Sequence, residues 1–174
     1  YCMKITLWMA ISLNGIIATL DNKEDFLSHD NWNEFVKAVQ KRGCLIWGRK
    51  TYELVRKWDK SYLEPFKNIT KIILSSNKDI KLDEGFTSAS SPQEAIQTLR
   101  EKGFKEIILT GGSTNNSTFA KLGLIDEIIL DIDCVVVGKG IPLFNPEYFQ
   151  LPLLLVKVKK VNKNIIQAYY KVKK

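Results

Sequence analysis

Three short stretches of the sequence combine glycines, hydroxyls and cations in the way that a phosphate-binding site requires. Gly48-Arg49-Lys50-Thr51 follows an apolar run at 44–47, and Gly111-Gly112-Ser113 follows one at 106–110. Glycine lets a ligand approach the backbone closely, and the free N–H groups at a helix start favour an anion. Ser75-Ser76 adds two hydroxyls after a third apolar run. Each stretch alone is equally typical of an ordinary turn, but together they indicate a site for a phosphorylated ligand.

The elements that carry these stretches alternate between strand and helix. Apolar runs predict strands at 5–10, 44–47, 71–74, 106–110 and 127–137, and helical spacing predicts helices between them. Asp30 or Ser28 is predicted to cap the first helix and Thr51 the second. Two last strands, 153–161 and 165–172, predict a hairpin. This order is typical of a mostly parallel sheet flanked by helices, with an antiparallel C-terminal part. Ligands bind such sheets beyond the carboxyl ends of the strands.

Composition narrows the class of protein. The 174 residues, 45% of them hydrophobic, are predicted to form one domain over 1–174, in which Tyr1 and Cys2 are assigned no function. The net charge of +7 suits an anionic ligand. Basic and aromatic residues do not interleave along a strand as in nucleic-acid-binding proteins, so no nucleic acid is expected. The three cysteines lack metal-site spacing, so no metal is expected. No apolar run reaches the roughly 18 residues of a membrane span, and no signal peptide is visible, so the cytoplasm is expected and a membrane is not.

Six motifs then resemble those of the dihydrofolate-reductase-like superfamily, in the same order and at similar separations. They are Ile11–Ala18, Gly48–Glu53, Ile73–Ser76, Leu109–Ser113, Leu124–Glu127 and Gly138–Phe144. The chain is most similar to the reductase domain of bacterial riboflavin-biosynthesis deaminase-reductases. The resemblance implies a dihydrofolate-reductase-like α/β fold and NADPH as the cofactor.

The resemblance also implies which residues hold NADPH. Gly48, Arg49, Lys50 and Thr51 would bind its phosphates, with Arg49 nearest the adenosine 2′-phosphate, and Gly111, Gly112 and Ser113 would meet the pyrophosphate. Leu74, Ser75 and Ser76 would flank the adenine ribose, and Ala10, Ile17 and Ala18 would border the nicotinamide. The segment 12–19 would form a flexible lid. At Asn14 the family usually has aspartate.

The substrate side matches the classical dihydrofolate reductases less well. Those enzymes carry a buried carboxylate on the first helix, for which Asp30 is the first candidate here and Glu34 the second. Trp32 and Phe35 are candidates for stacking on a flat substrate, although aromatic residues at helical spacing are more often core. The arginine that would hold a folate tail is missing from 68–71, and Leu130 stands near the position of a threonine partner. The lone His29 is predicted to be an ordinary surface residue.

The sequence therefore predicts a reductase that transfers hydride from NADPH to a pyrimidine or pterin-type small molecule. A riboflavin-pathway ribosylaminopyrimidine is the first candidate substrate, and dihydrofolate, reduced to tetrahydrofolate, is the second. A non-catalytic nucleotide-binding protein is the alternative from another class. Relatives in the riboflavin-type group are commonly dimers, so a homodimer is also expected.

Overall fold

The computed structural model describes residues 3–77 and 79–174, so Tyr1 and Cys2 lie outside the described residues. Within these ranges eight strands form one sheet in the order β5-β4-β3-β6-β1-β7-β10-β9, and two short strands, β2 and β8, form a second. The strands are β1 Lys4–Ser12, β2 Ile16–Ala18, β3 Cys44–Gly48, β4 Thr70–Leu74, β5 Phe86–Ala89, β6 Glu106–Leu109, β7 Glu127–Asp133, β8 Ile141–Pro142, β9 Leu153–Lys160 and β10 Ile165–Val172. The helices are α1 Trp32–Arg42, α2 Arg49–Val55, α3 Lys60–Leu63, α4 Pro92–Glu101 and α5 Ser113–Lys121, with a 3₁₀ turn at Glu64–Phe66.

The direction of the strands confirms the predicted fold class. The six strands from β5 to β7 pair in parallel, whereas β10 pairs antiparallel with both β7 and β9. Consecutive residues of the central strands are fully buried, as in Ile72-Ile73 of β4. Such runs form where helices cover both faces of a parallel sheet. Ile72 packs in a core with residues of α4 and α5, and Ile73 packs in a second core with residues of α1 and α2.

Several strand and helix boundaries differ from the predicted ones, each for a local reason. The last strand of the parallel set ends at Asp133 instead of residue 137, because the chain turns there and Val135 N–H bonds to Asp133 C=O. α1 begins at Trp32 with Asn31 as its N-cap residue, so the predicted caps Asp30 and Ser28 are wrong. Thr51 lies inside α2, whose N-cap residue is Gly48. The two-strand sheet of β2 and β8 has no counterpart in the predicted elements, because each strand is three residues or fewer.

β9 is the edge strand where a second copy of the chain is expected to bind. Its apolar side chains Leu154, Leu155, Val156 and Val158 are each more than half exposed. An open edge that carries apolar residues promotes pairing with another chain, although Lys157, Lys159 and Lys160 oppose it. We expect a homodimer at micromolar concentration, by an isologous contact. Light scattering behind a sizing column measures this, and a monomer mass at about 100 μM would contradict it.

None of the helices in the described ranges has both the length and the apolar character that crossing a bilayer demands.

Candidate active site

A cleft of about 720 Å³ opens at the carboxyl ends of the parallel strands. Residues at or just beyond the ends of β1, β3, β4, β6 and β7 line it, together with residues of α1, α2 and α5. All four tryptophans of the sequence line it: Trp8, Trp32, Trp47 and Trp58. The location is the one at which open α/β sheets bind ligands, and the volume is typical of a small-molecule site.

The structure brings all but one of the predicted cofactor residues to this cleft. Those that line it are Ala10, Ile17, Ala18, Gly48, Arg49, Lys50, Thr51, Leu74, Ser75, Ser76, Gly112 and Ser113. Gly111 lies behind this surface, where its C=O accepts a 2.8 Å hydrogen bond from Gly48 N–H. Its φ of +82° is a conformation that glycine adopts without strain, so Gly111 shapes the turn and leaves Gly112 to face the cleft.

The two glycine turns pack against each other, which explains why Gly48 carries no side chain. A Cβ atom at Gly48 would lie 2.7 Å from Asn115 Nδ2 and 3.3 Å from the backbone N of Gly112. At Gly112 the nearest atom to a Cβ would be Thr51 Oγ1 at 3.5 Å, an ordinary contact. The space beside Gly112 therefore stays open for a ligand that approaches the backbone.

The starts of α2 and α5 face the cleft with polar groups. Neither helix has a side-chain cap among the described residues, so their first N–H groups are available to an anion. The Ser113 hydroxyl donates to Asn145 Oδ1 over 2.8 Å, and Asn145 Nδ2 donates to Thr114 Oγ1 over 3.1 Å. Asn145 thus fixes the two hydroxyls at the start of α5.

Arg49 and Lys50 are the cations of the cleft. Arg49 Nη1 lies 2.6 Å from Glu53 Oε1, one helical turn further along α2, and both side chains are partly exposed. Lys50 is exposed and has no ion-pair partner among residues 3–77 and 79–174. Both side chains can therefore turn towards a phosphate that enters beside α2.

Ser75 forms a tight turn at the end of β4. Its Oγ accepts a 3.1 Å hydrogen bond from Asn77 N–H, and its own N–H bonds to Ala89 C=O of β5. Ser76 is exposed beside it, and Leu74 contributes an apolar surface. The predicted ribose-flanking residues thus form one wall of the cleft.

The segment 12–19, predicted to be a flexible lid, is held by hydrogen bonds to residues 135–143. Leu13 N–H bonds to Val135 C=O, and Leu143 N–H bonds to Gly15 C=O. The Asn14 amide pairs with Val137 on both sides: Nδ2 donates to Val137 C=O over 2.7 Å, and Oδ1 accepts from Val137 N–H over 3.1 Å. Because a carboxylate cannot donate, an aspartate at position 14 could not make the bond to Val137 C=O.

Replacing Asn14 by aspartate is expected to destabilise the chain by about 1 kcal/mol, since the bond to Val137 C=O is lost and an anion faces that carbonyl. Urea unfolding of the variant beside the wild type measures the change. Asn14→Ala loses both bonds to Val137 and the bond that Ser12 Oγ donates to Asn14 Oδ1, but it adds no charge. Comparing the two variants separates the cost of lost hydrogen bonds from the cost of the added charge. An Asp variant as stable as the wild type would contradict the assigned pairing.

The predicted catalytic carboxylates Asp30 and Glu34 do not line the cleft. Asp30 Oδ2 accepts a 2.7 Å hydrogen bond from Asn162 Nδ2, and Glu34 pairs with Lys37 on the exposed face of α1. Both residues are exposed, and neither side chain reaches the cavity. The next two residues after Asp30, Asn31 and Trp32, line the cleft instead.

Asp131 on β7 is a buried carboxylate that the sequence reasoning missed. Three side chains donate to it: Trp8 Nε1 to Oδ2 over 2.7 Å, and Asn31 Nδ2 and Gln167 Nε2 to Oδ1 over 2.8 and 2.7 Å. Tyr169 OH in turn donates to Gln167 Oε1. Burial raises the pKa of Asp131 above its ordinary value, the three hydrogen bonds lower it in part, and the charge of Asp133 raises it further.

The raised pKa gives Asp131→Asn a pH-dependent effect. A carboxyl whose folded pKa is raised stabilises the fold below its unfolded pKa of about 3.8, and this contribution is lost as pH rises through the folded value. Asparagine does not titrate. The wild type should therefore lose stability relative to Asp131→Asn as the pH rises from about 3.5 to 7. The difference in unfolding free energy, variant minus wild type, should become more positive over that range. Urea unfolding at both pH values tests this, and a pH-independent difference would contradict it.

Aromatic rings form the wall of the cleft beside Asp131. Phe35 packs edge-on against Trp8 at 5.7 Å between ring centroids, and Trp32 lies 5.3 Å from Phe35. Trp32 also contacts Trp58, Tyr62 and Phe66, and these rings form an aromatic cluster. The Trp32 ring therefore belongs both to this cluster and to the surface of the cleft. Both predicted substrate residues, Trp32 and Phe35, line the cleft.

His29, predicted to be an ordinary surface residue, also lines the cleft. Its Nε2 lies 3.8 Å from Glu24 Oε1, and its ring lies against Trp58 at 6.4 Å. Burial raises the pKa of Glu24, which the nearby His29 partly offsets. The loop between β2 and α1 thus contributes a carboxylate to the same cavity.

Comparison with known proteins identifies the class first. The fold is that of riboflavin-biosynthesis reductase proteins: the structure matches Acinetobacter baumannii RibD with a TM-score of 0.80, at 18% identity over 99% of this chain and 59% of that one. It matches a Thermotoga maritima protein, named as a diaminohydroxyphosphoribosylaminopyrimidine deaminase/5-amino-6-(5-phosphoribosylamino)uracil reductase, with a TM-score of 0.75, at 15% identity over 98% of this chain and 56% of that one.

Sequence comparison shows the family to which the chain belongs. Residues 3–167 match the RibD C-terminal domain, and the chain belongs to that family. Its sequence is also 32% identical over 149 residues to the Bacillus subtilis protein YwjB, covering 82% of this chain and 83% of that protein. The resemblance stated from the six motifs is therefore confirmed.

Proposed function

We propose that the chain is an NADPH-dependent reductase that transfers hydride to a pyrimidine or pterin-type heterocycle. The observation that carries the proposal is the convergence of three separate turns, 48–51, 75–76 and 111–113, on one cleft that also exposes Ala10, Ile17 and Ala18. The turns 48–51 and 111–113 suit phosphates, the turn 75–76 suits a ribose, and the apolar surface suits a flat ring. Membership of the RibD C-terminal domain family supports an oxidoreductase.

The residues present fit NADPH. The open space beside Gly112, the uncapped starts of α2 and α5, and the cations Arg49 and Lys50 would together hold its phosphates. Ala10 and Ala18 have small side chains that leave room for the nicotinamide beside the end of β1. When bound, NADPH supplies the hydride.

The chain's own contribution is to position the substrate and exclude water. Trp32 and Phe35 present aromatic surface against which a planar heterocycle packs. Asp131 and its three donors hold a fixed polar group beside that surface. A ring held in this way faces the end of β1 in a defined orientation, which is how binding energy lowers the barrier to group transfer.

The decisive experiment is an NADPH oxidation assay with two candidate substrates, the riboflavin-pathway ribosylaminopyrimidine and dihydrofolate. Loss of NADPH absorbance that depends on one of them is the expected result. NADPH that binds tightly while neither compound is reduced would overturn the enzymatic proposal in favour of a nucleotide-binding protein. Absence of NADPH binding would overturn both.

A further inference from the structure

The charges that line the cleft are sorted by sign between its two ends. Among the described residues that line it, Arg49 and Lys50 are the only lysine or arginine, and both lie on α2 beside the end of β3. The carboxylates Asp131 and Asp133 lie on β7, and Glu24 is on the loop before α1. β7 is three positions from β3 in the sheet, and strand spacing makes that about 14 Å.

At the β7 end, His29 lies 3.8 Å from Glu24, but Asp131 and Asp133 have no basic partner among the described residues. Neither Asp131 nor Asp133 has an ion pair within residues 3–77 and 79–174, and both are more than nine-tenths buried. Their partners are neutral donors: three side chains on Asp131, and the Ser28 N–H on Asp133 Oδ1 at 3.0 Å. Alternate residues of a strand point to one face, so the two carboxylates stand side by side.

These carboxylates keep acceptor capacity for a ligand. The two oxygens of a carboxylate accept about four hydrogen bonds. Asp131 receives three, which leaves one position on Oδ2, and Asp133 receives one at Oδ1. A ligand that presents N–H groups or a positive charge satisfies these positions, whereas a phosphate brought to this end meets the like charge of the carboxylates. The basic side chain described at this end is His29, which already lies 3.8 Å from Glu24.

We propose that the substrate is a flat heterocycle that presents N–H donors or a positive charge to Asp131 and Asp133 and carries no phosphate. This rests on the proposed function, in which NADPH occupies the end with Arg49 and Lys50 and leaves the β7 end to the substrate. Trp32 and Phe35 supply the flat apolar surface beside Asp131, because Phe35 packs against Trp8, which bonds to that carboxylate. The charge pattern thus selects against a phosphoribosylated pyrimidine, the substrate named for the Thermotoga maritima protein.

The test is calorimetric titration of the full chain with two matched pairs of probes, each with and without saturating NADPH. Uridine and uridine 5′-monophosphate differ by one phosphate, and 2,4-diaminopyrimidine and uracil differ in their N–H donors. We expect uridine to bind at least about tenfold more tightly than its monophosphate, and the diaminopyrimidine at least about tenfold more tightly than uracil. Equal or tighter binding of the monophosphate, or no binding of the diaminopyrimidine at millimolar concentration, overturns the proposal.

Charge-neutral variants assign the selectivity to named residues. Asp133→Asn keeps an oxygen for the Ser28 N–H, and combined with Glu24→Gln it removes two charges without touching the donors of Asp131. The double variant should reduce the preference for uridine over its monophosphate, measured as the ratio of their Kd values, by about tenfold. Glu34→Gln removes one charge outside the cleft and should leave that ratio unchanged. An unchanged ratio in the double variant overturns the proposal. NADPH titrated alone tests the proposed function separately, so the two failures are distinguishable.

Discussion

Gly112→Val is expected to abolish NADPH binding while the chain stays folded. Gly112 has φ −81° and ψ −166°, an extended backbone that any residue adopts, and the nearest atom to a Cβ there is Thr51 Oγ1 at 3.5 Å. The fold thus accepts the added Cβ, but the branched side chain fills the space through which a pyrophosphate reaches the backbone. We expect the Kd for NADPH to rise by at least about a hundredfold, roughly 3 kcal/mol.

Calorimetry measures the affinity in this experiment, and circular dichroism verifies the fold. Gly138→Val is the matched control, because a Cβ there meets nothing within 4 Å and Gly138 does not line the cleft. That variant should bind NADPH as the wild type does. Wild-type affinity in Gly112→Val would remove Gly112 from the cofactor site.

Arg49→Ala is expected to weaken NADPH about tenfold or more and to leave NADH nearly unchanged. A charge-assisted hydrogen bond to phosphate contributes about 1.5–3 kcal/mol, and the adenosine 2′-phosphate is the only group that distinguishes the two cofactors. Arg49 bonds to Glu53 in the structure, so binding the phosphate requires the guanidinium to share or leave that partner. The two Kd values are measured side by side by calorimetry.

Glu53→Gln serves as the companion variant. It removes the charge that holds Arg49 and retains a side chain of the same size, so NADPH affinity should stay equal or rise slightly. If Arg49→Ala weakened NADPH and NADH equally, Arg49 would act on a phosphate that both cofactors share. If neither affinity changed, Arg49 would lie outside the cofactor site.

The parts of the fold that could be predicted from the sequence are those whose signal is local. Cys44–Gly48 and Glu106–Leu109 are short apolar runs bounded by glycine or polar turns, and buried parallel strands have that pattern. Gly43 ends α1 with φ +75°, as its place after the last apolar repeat predicted. The turn residues at 48–51 and 111–113 were likewise visible, because glycines and helix starts mark them directly in the sequence.

The carboxylate of the cleft could not be found in the same way. The pattern of the classical enzymes directs attention to the first helix, where Asp30 stands one residue before the position that faces the cavity. The buried acid is Asp131 instead, and Trp8, Asn31 and Gln167, its donors, are 123, 100 and 36 residues away in the chain. The only local signal is the alternation of acidic and apolar residues at 131–133 inside a buried strand.

The placement of all four tryptophans on one cleft gives the chain a built-in optical reporter. Because the sequence has no other tryptophan, the tryptophan fluorescence of the folded protein arises wholly from indoles around that cavity. A ligand that displaces water from Trp32 or stacks near Trp8 changes the polarity around these rings and so shifts or quenches the emission. Entry of any compound into the cleft is thus observable without a label.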